Sequence, residues 1–146
     1  MFTFRLQSLL DVRIAFEEKV IVEVSAIVRQ LEREQEAMKS LRNEKSLLCG
    51  QLEALQGSPT RSPDLSLLAS YLWSCHEREK AQEDLIVRVR RDLDAKREEL
   101  LAAAKDRKIM EKLKERQFEH YRDHIEDQER KNLDEMAITR FGRSGR

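Results

Sequence analysis

Stepping alternately by four and three residues from Leu6 visits Leu10, Arg13, Glu17, Val20, Val24, Ile27, Leu31, Glu34, Met38, Leu41, Lys45, Leu48, Leu52 and Leu55. Eleven of these fifteen positions are apolar. A spacing of about 3.5 residues held for about seven heptads predicts a helix that keeps one seam against a partner, the pattern of a left-handed coiled coil. At Arg13 and Glu17 the apolar residues lie one position earlier, at Val12 and Phe16, which predicts a local shift of register there.

The only strong break follows, in Gly57-Ser58-Pro59-Thr60-Arg61-Ser62-Pro63. Two prolines each remove a ladder donor and restrict the residue before them, so the helix cannot run through. A second helix starts well after the break: Ser62 can cap free amides, Pro63 suits the first helical position and Asp64 faces the positive end of the dipole. Its seam is Leu68, Leu72, Cys75, Glu79, Gln82, Ile86, Val89, Leu93, Lys96, Leu100, Ala103, Arg107 and Met110, with nine of thirteen positions apolar or cysteine. Beyond Met110 apolar residues thin out to Leu113, Phe118, Tyr121, Ile125, Leu133, Met136, Ile138 and Phe141.

The expected fold is therefore all-α: one hairpin of two long antiparallel helices, about 3–56 and 63–140, with a turn over 57–62, an overhanging C-terminal helix and a flexible tail over 141–146. A short connection folds consecutive helices back on each other. With the turn near residue 60, position i lies opposite about position 120 − i, so Met1 faces roughly Glu119. At about 1.5 Å per residue the arms are about 80 and about 115 Å long. Some twenty C-terminal residues are left without an intramolecular partner, and an isolated helix of that length is marginal in water. A second reading, in which chains associate in parallel as an opened rod, requires a helix through Pro59 and Pro63.

Composition narrows the function classes. Charged residues make up 38% of the 146, with 28 basic and 28 acidic side chains interspersed along the chain, so the expected surface is solvated helix carrying no net field toward phosphate or anionic lipid. Lys105 to Arg116 is locally basic, with six basic and three acidic residues. It lacks the aromatic interleaving of a base-stacking surface, so a nucleic-acid-binding hairpin ranks below a protein-binding one. No run of about 18 apolar residues is present, so no membrane insertion is expected. Cys49 and Cys75 fall roughly opposite each other and, in a reducing cytoplasm, read as small buried residues. His120 and His124 share a helical face but have no third ligand at a diagnostic spacing, so no metal is expected. Cys75 and His76 are neighbours that point apart, and no phosphate-binding glycine loop occurs. Neither catalysis nor a cofactor is expected.

The N-terminal Phe2-x-Phe4-x-Leu6-Gln7-x-Leu9-Leu10-x-x-Arg13 and the C-terminal Glu111-Lys112-Leu113-Lys114-Glu115-Arg116, followed by Tyr121, Asn132-Leu133-Asp134-Glu135-Met136-Ala137 and Arg140-Phe141, resemble the flagellar FliJ family. That resemblance covers both arms in order. It implies a stalk of the type III export apparatus similar to the central stalk of rotary ATPases, cytoplasmic and peripherally associated with the inner membrane, and monomeric when free. Its implied partners are the export ATPase FliI, the export gate protein FlhA and unloaded export chaperones. Carried onto this chain, the ATPase-binding set is Arg5, Arg13, Lys112, Arg116, Tyr121, Leu133, Asp134, Glu135, Met136, Arg140 and Phe141. The gate-binding set is Leu68, Tyr71, Leu72, Trp73 and Cys75, in a stretch with more apolar groups than one seam can bury. If Leu68, Leu72 and Cys75 take the seam, Tyr71 and Trp73 flank it.

Overall fold

The computed structural model describes residues 1–57 and 62–145, with Ser62 described in its backbone alone. The expected turn, apart from Gly57 and the backbone of Ser62, and the expected Ser62 side-chain cap lie outside the described residues. Nearly all of the described residues fall in two helices, α1 (Gln7–Gln56) and α2 (Ser62–Ser144). They pack against each other as an antiparallel all-α hairpin. The chain divides into two units, Lys19–Leu100 and Met1–Glu18 with Leu101–Arg146.

In the unit Lys19–Leu100 the core is Val20, Met38, Cys75, Ile86, Val89 and Leu93, all buried. Polar seam positions, which look like defects in either helix alone, meet across the interface. Gln82 Nε2 donates to the backbone oxygen of Glu34 at 2.9 Å and to its carboxylate at 2.6 Å. Lys45 Nζ donates to Glu79 at 3.0 Å, and Lys96 Nζ donates to Glu23 at 2.6 Å. Each pairing falls close to the register i opposite about 120 − i. Cys49 and Cys75 are free thiols, half-buried and buried.

These pairs set an acid limit. The ammonium of Lys45 holds the Glu79 carboxyl below its ordinary value of 4.5, and that of Lys96 does the same for Glu23, each against a burial effect of opposite sign. A depressed folded-state value contributes stability that is complete above the unfolded value and lost as pH falls through the folded one. The melting temperature is therefore expected to fall as the pH drops below the ordinary carboxylate value of 4.5. A Glu23→Gln, Glu79→Gln variant should show a shallower acid fall by circular dichroism; an unchanged slope would remove these pairs from the acid response.

In the other unit Leu10, Phe4 and Ala103 are buried. Arg107 bonds Glu17 of α1 across the seam and Glu111 on its own helix at 2.8 Å. Arg13 pairs with Asp106 at 3.4 Å. The expected register shift does not occur: Arg13 and Glu17 keep the seam, while Val12 and Phe16 point outward at 62% and 42% exposure. Cross-helix ion pairs outweigh the local apolar preference here, because turning α1 to bury Val12 and Phe16 would strand Arg107 without its partner on α1.

α1 starts at Gln7 rather than at residue 3. On a helix Phe2 and Phe4 would point to nearly opposite sides, so only one could cover α2. With residues 1–6 outside the helix, Phe4 is buried and Phe2 sits edge-on to Phe118 with ring centroids 5.3 Å apart. At the other end α2 continues through Phe141 to Ser144, past the expected limit at 140. Gly50 lies inside α1 with nothing within 4 Å of an added Cβ, so Gly50→Ala should stabilise the chain by about 0.5–1 kcal/mol in denaturant titrations.

Candidate protein-binding surfaces

The paired region closes on aromatic rings. Phe2 lies against Phe118 and, at 5.6 Å, against Tyr121, while Lys114 Nζ donates to Gln7 Oε1 at 2.7 Å. Tyr121 and Ile125 are the last half-buried residues of α2, and every described residue from 126 to 145 is exposed. Tyr121 is thus engaged within the chain and does not belong to the partnerless stretch, because Phe2 reaches over it.

Beyond Ile125 the helix is held by its own backbone and by local ion pairs such as Arg130 with Asp127 at 3.7 Å. Leu133, Met136 and Ala137 share a face at helical spacing, with Phe141 one turn further and 82% exposed. Ile138 is exposed on another side. Asp134, Glu135 and Arg140 are exposed beside the stripe, as are Lys112, Arg116 and Arg5 on the paired part. Arg13 is committed to Asp106. Apolar stripe and charges therefore lie on one helix end, an arrangement suited to desolvated contact bordered by polar groups.

At the start of α2 the proposed set divides. Cys75 is 1% exposed and leaves the set of surface residues, while Leu68 and Leu72 are half-buried in the seam. Its depth has a physical cause: the seam follows the 3.5-residue spacing, and Cys75 sits at its centre. Tyr71 and Trp73 remain exposed on opposite flanks, since two residues on a helix are separated by about 200°. Trp73 lies beside His76 with ring centroids 5.8 Å apart, and Lys45 Nζ stands 3.4 Å from His76 Nδ1.

Leu67 shares the flank of Tyr71, and Arg78 on the same flank reaches Glu44 at 3.4 Å. That ion pair identifies the facing side of α1, where Leu47 is exposed three residues after Glu44. Sequence reading missed Leu47 and Leu67. The available signal was the doublets Leu47-Leu48 and Leu67-Leu68, in which the seam can take only one residue of each pair.

Among the described residues no group of acidic, cysteine and histidine side chains is placed to hold a metal ion, and His124 instead contacts Gln128 at 3.1 Å. No helix among them is long and apolar enough to cross a membrane.

Fold and exposed surfaces together define an antiparallel helical hairpin of coiled-coil type. The family model described as Flagellar FliJ protein matches residues 1–146, and the chain belongs to the flagellar FliJ family. It is accordingly a component of flagellar protein export, in a family that is structural and chaperone-like. No curated protein and no solved structure matches the chain.

Proposed function

We propose that this protein is the stalk of the export ATPase, binding FliI through its C-terminal helix and coupling that ring to the gate protein FlhA. The observation that carries this reading is the stretch beyond Ile125, a helix with an exposed Leu133–Met136–Phe141 stripe that none of the described residues covers. Family membership supports an export role, and a helix that is marginal alone gains order on entering a partner. Arg5, Lys112, Arg116, Asp134, Glu135 and Arg140 steer and align the encounter, with Leu133, Met136 and Phe141 as anchors. Arg13 and Tyr121 act by holding the paired end in shape. The protein works in the cytoplasm, peripherally at the inner membrane, is monomeric when free, and also escorts unloaded export chaperones.

Met136→Asp tests the ATPase site. Calorimetry should show its affinity for the purified ATPase reduced by about tenfold or more, the size of one lost anchor. An unchanged affinity would remove the stripe from the interface.

Gate binding is assigned to the flank carrying Leu67 and Tyr71, with Leu47 beside it, and the seam residues Leu68 and Leu72 support that flank. Tyr71→Ala should weaken binding to the cytoplasmic part of the gate by about tenfold, and Leu47→Ala by a smaller factor. Trp73→Ala should leave it unchanged, because its ring lies on the opposite flank. A larger loss from Trp73→Ala than from Tyr71→Ala would move the site to the other side.

A further inference from the structure

The outward turn of Val12 and Phe16 leaves an apolar surface with no assigned role. Leu9, Val12 and Phe16 lie three and seven residues apart on one flank of α1, all at least two-fifths exposed. The Arg13–Asp106 ion pair bridges α1 and α2 on this same flank, so the α2 residues beside it are those in phase with Asp106. They are Ala102 and Ile109, exposed, and Leu113, half-buried. Two apolar ridges thus run side by side, with the ion pair as the floor between them. Helices in contact lie about 8–10 Å apart, so the depression between two of them has the width of a third helix.

Charge specifies the occupant further. On the outer side of the α2 ridge stand Lys105 and Arg116, exposed and forming no ion pair among the described residues. The outer side of the α1 ridge carries Ser8 and Ala15. The α2 rim is cationic, and the α1 rim is neutral over Ser8 and Ala15 until Lys19, one turn beyond Phe16.

We propose that this face docks an amphipathic helix of a partner protein, with apolar residues at i, i+3 or i+4 and i+7, and carboxylates along the one edge that meets Lys105 and Arg116. Docking builds a local three-helix bundle in which Phe16 and Ile109 are the central anchors. The inference goes beyond the ATPase and gate sites and uses none of their apolar residues.

The probe is a fluorescein-labelled synthetic peptide of about 20 residues with a leucine seam and glutamates along one edge. Such a peptide is marginally helical in water. Mixing it with the full-length chain should raise its anisotropy and the total helical signal, and raised salt should weaken the complex. Phe16→Ser should lower affinity by about tenfold or more. Val22→Ser, at an exposed site elsewhere on α1, should leave it unchanged, and both variants should keep the wild-type melting curve. Equal binding by a scrambled peptide or by a lysine-edged one, no binding, or no effect of Phe16→Ser overturns the proposal. So does a chain that sediments as a dimer and becomes monomeric on Phe16→Ser, which gives the face to a second copy. Retention on phosphatidylglycerol vesicles that is lost in Phe16→Ser, without peptide binding, gives it to a membrane.

Discussion

A chain ending at Ile125 should fail to co-purify with the export ATPase while keeping its hairpin. The deleted stretch removes Leu133, Met136 and Phe141 together, and none of its described residues is buried or half-buried. Loss of several desolvated anchors at once lowers affinity by about a hundredfold or more, since single anchors are worth about tenfold each. The fold has no such dependence. Its C-terminal closure uses Phe2, Phe118 and Tyr121, all retained, so the melting temperature should stay within a few degrees of the full chain. Retained ATPase binding would transfer the site to the paired region. Collapse of the melting transition would show that the last residues of α2 support the hairpin.

The second large effect concerns the seam. Val20 is 1% exposed, and Val20→Asp places a carboxylate in the closed seam between the two helices. Burial of an unpaired charge costs several kcal/mol, enough to unfold a chain whose total stability is about 5–15 kcal/mol. Val12→Asp, eight residues earlier and well exposed, should change stability by about 0.5 kcal/mol or less. The contrast checks the register directly. Had the seam shifted to Val12 and Phe16, the two substitutions would be similarly damaging.

The two-helix hairpin, its antiparallel sense and the whole seam of α2 were legible because a 3.5-residue apolar spacing survives only where one face meets one partner. All thirteen seam positions read on α2, from Leu68 to Met110, are buried or half-buried. The reading failed at Val12 and Phe16 because apolar character is local, whereas the register of α1 there is set by Asp106 and Arg107, some ninety residues away in sequence. The N-terminal boundary failed for a related reason: the places of Phe2 and Phe4 depend on what α2 presents opposite them. Of the candidate surfaces, the onset of the unpartnered helix followed from counting back from the turn. Its precise start did not, since Phe2 covers Tyr121. At the start of α2 the apolar excess was visible, but the choice of flank was not. The proposed flank rests on the Arg78–Glu44 pair, which marks the side of α1 that carries Leu47.

Amide hydrogen exchange, measured on the full chain with and without the export ATPase, tests the central claim most directly. Alone, residues 126–144 should exchange fast relative to the seam positions around Val20, Ile86 and Leu93, because a solvent-exposed single helix opens locally at little cost. Bound to the ATPase, those amides should become strongly protected while the start of α2 around Leu67 and Tyr71 stays as it was. Protection confined to the start of α2, with residues 126–144 still exchanging fast in the complex, would contradict the account.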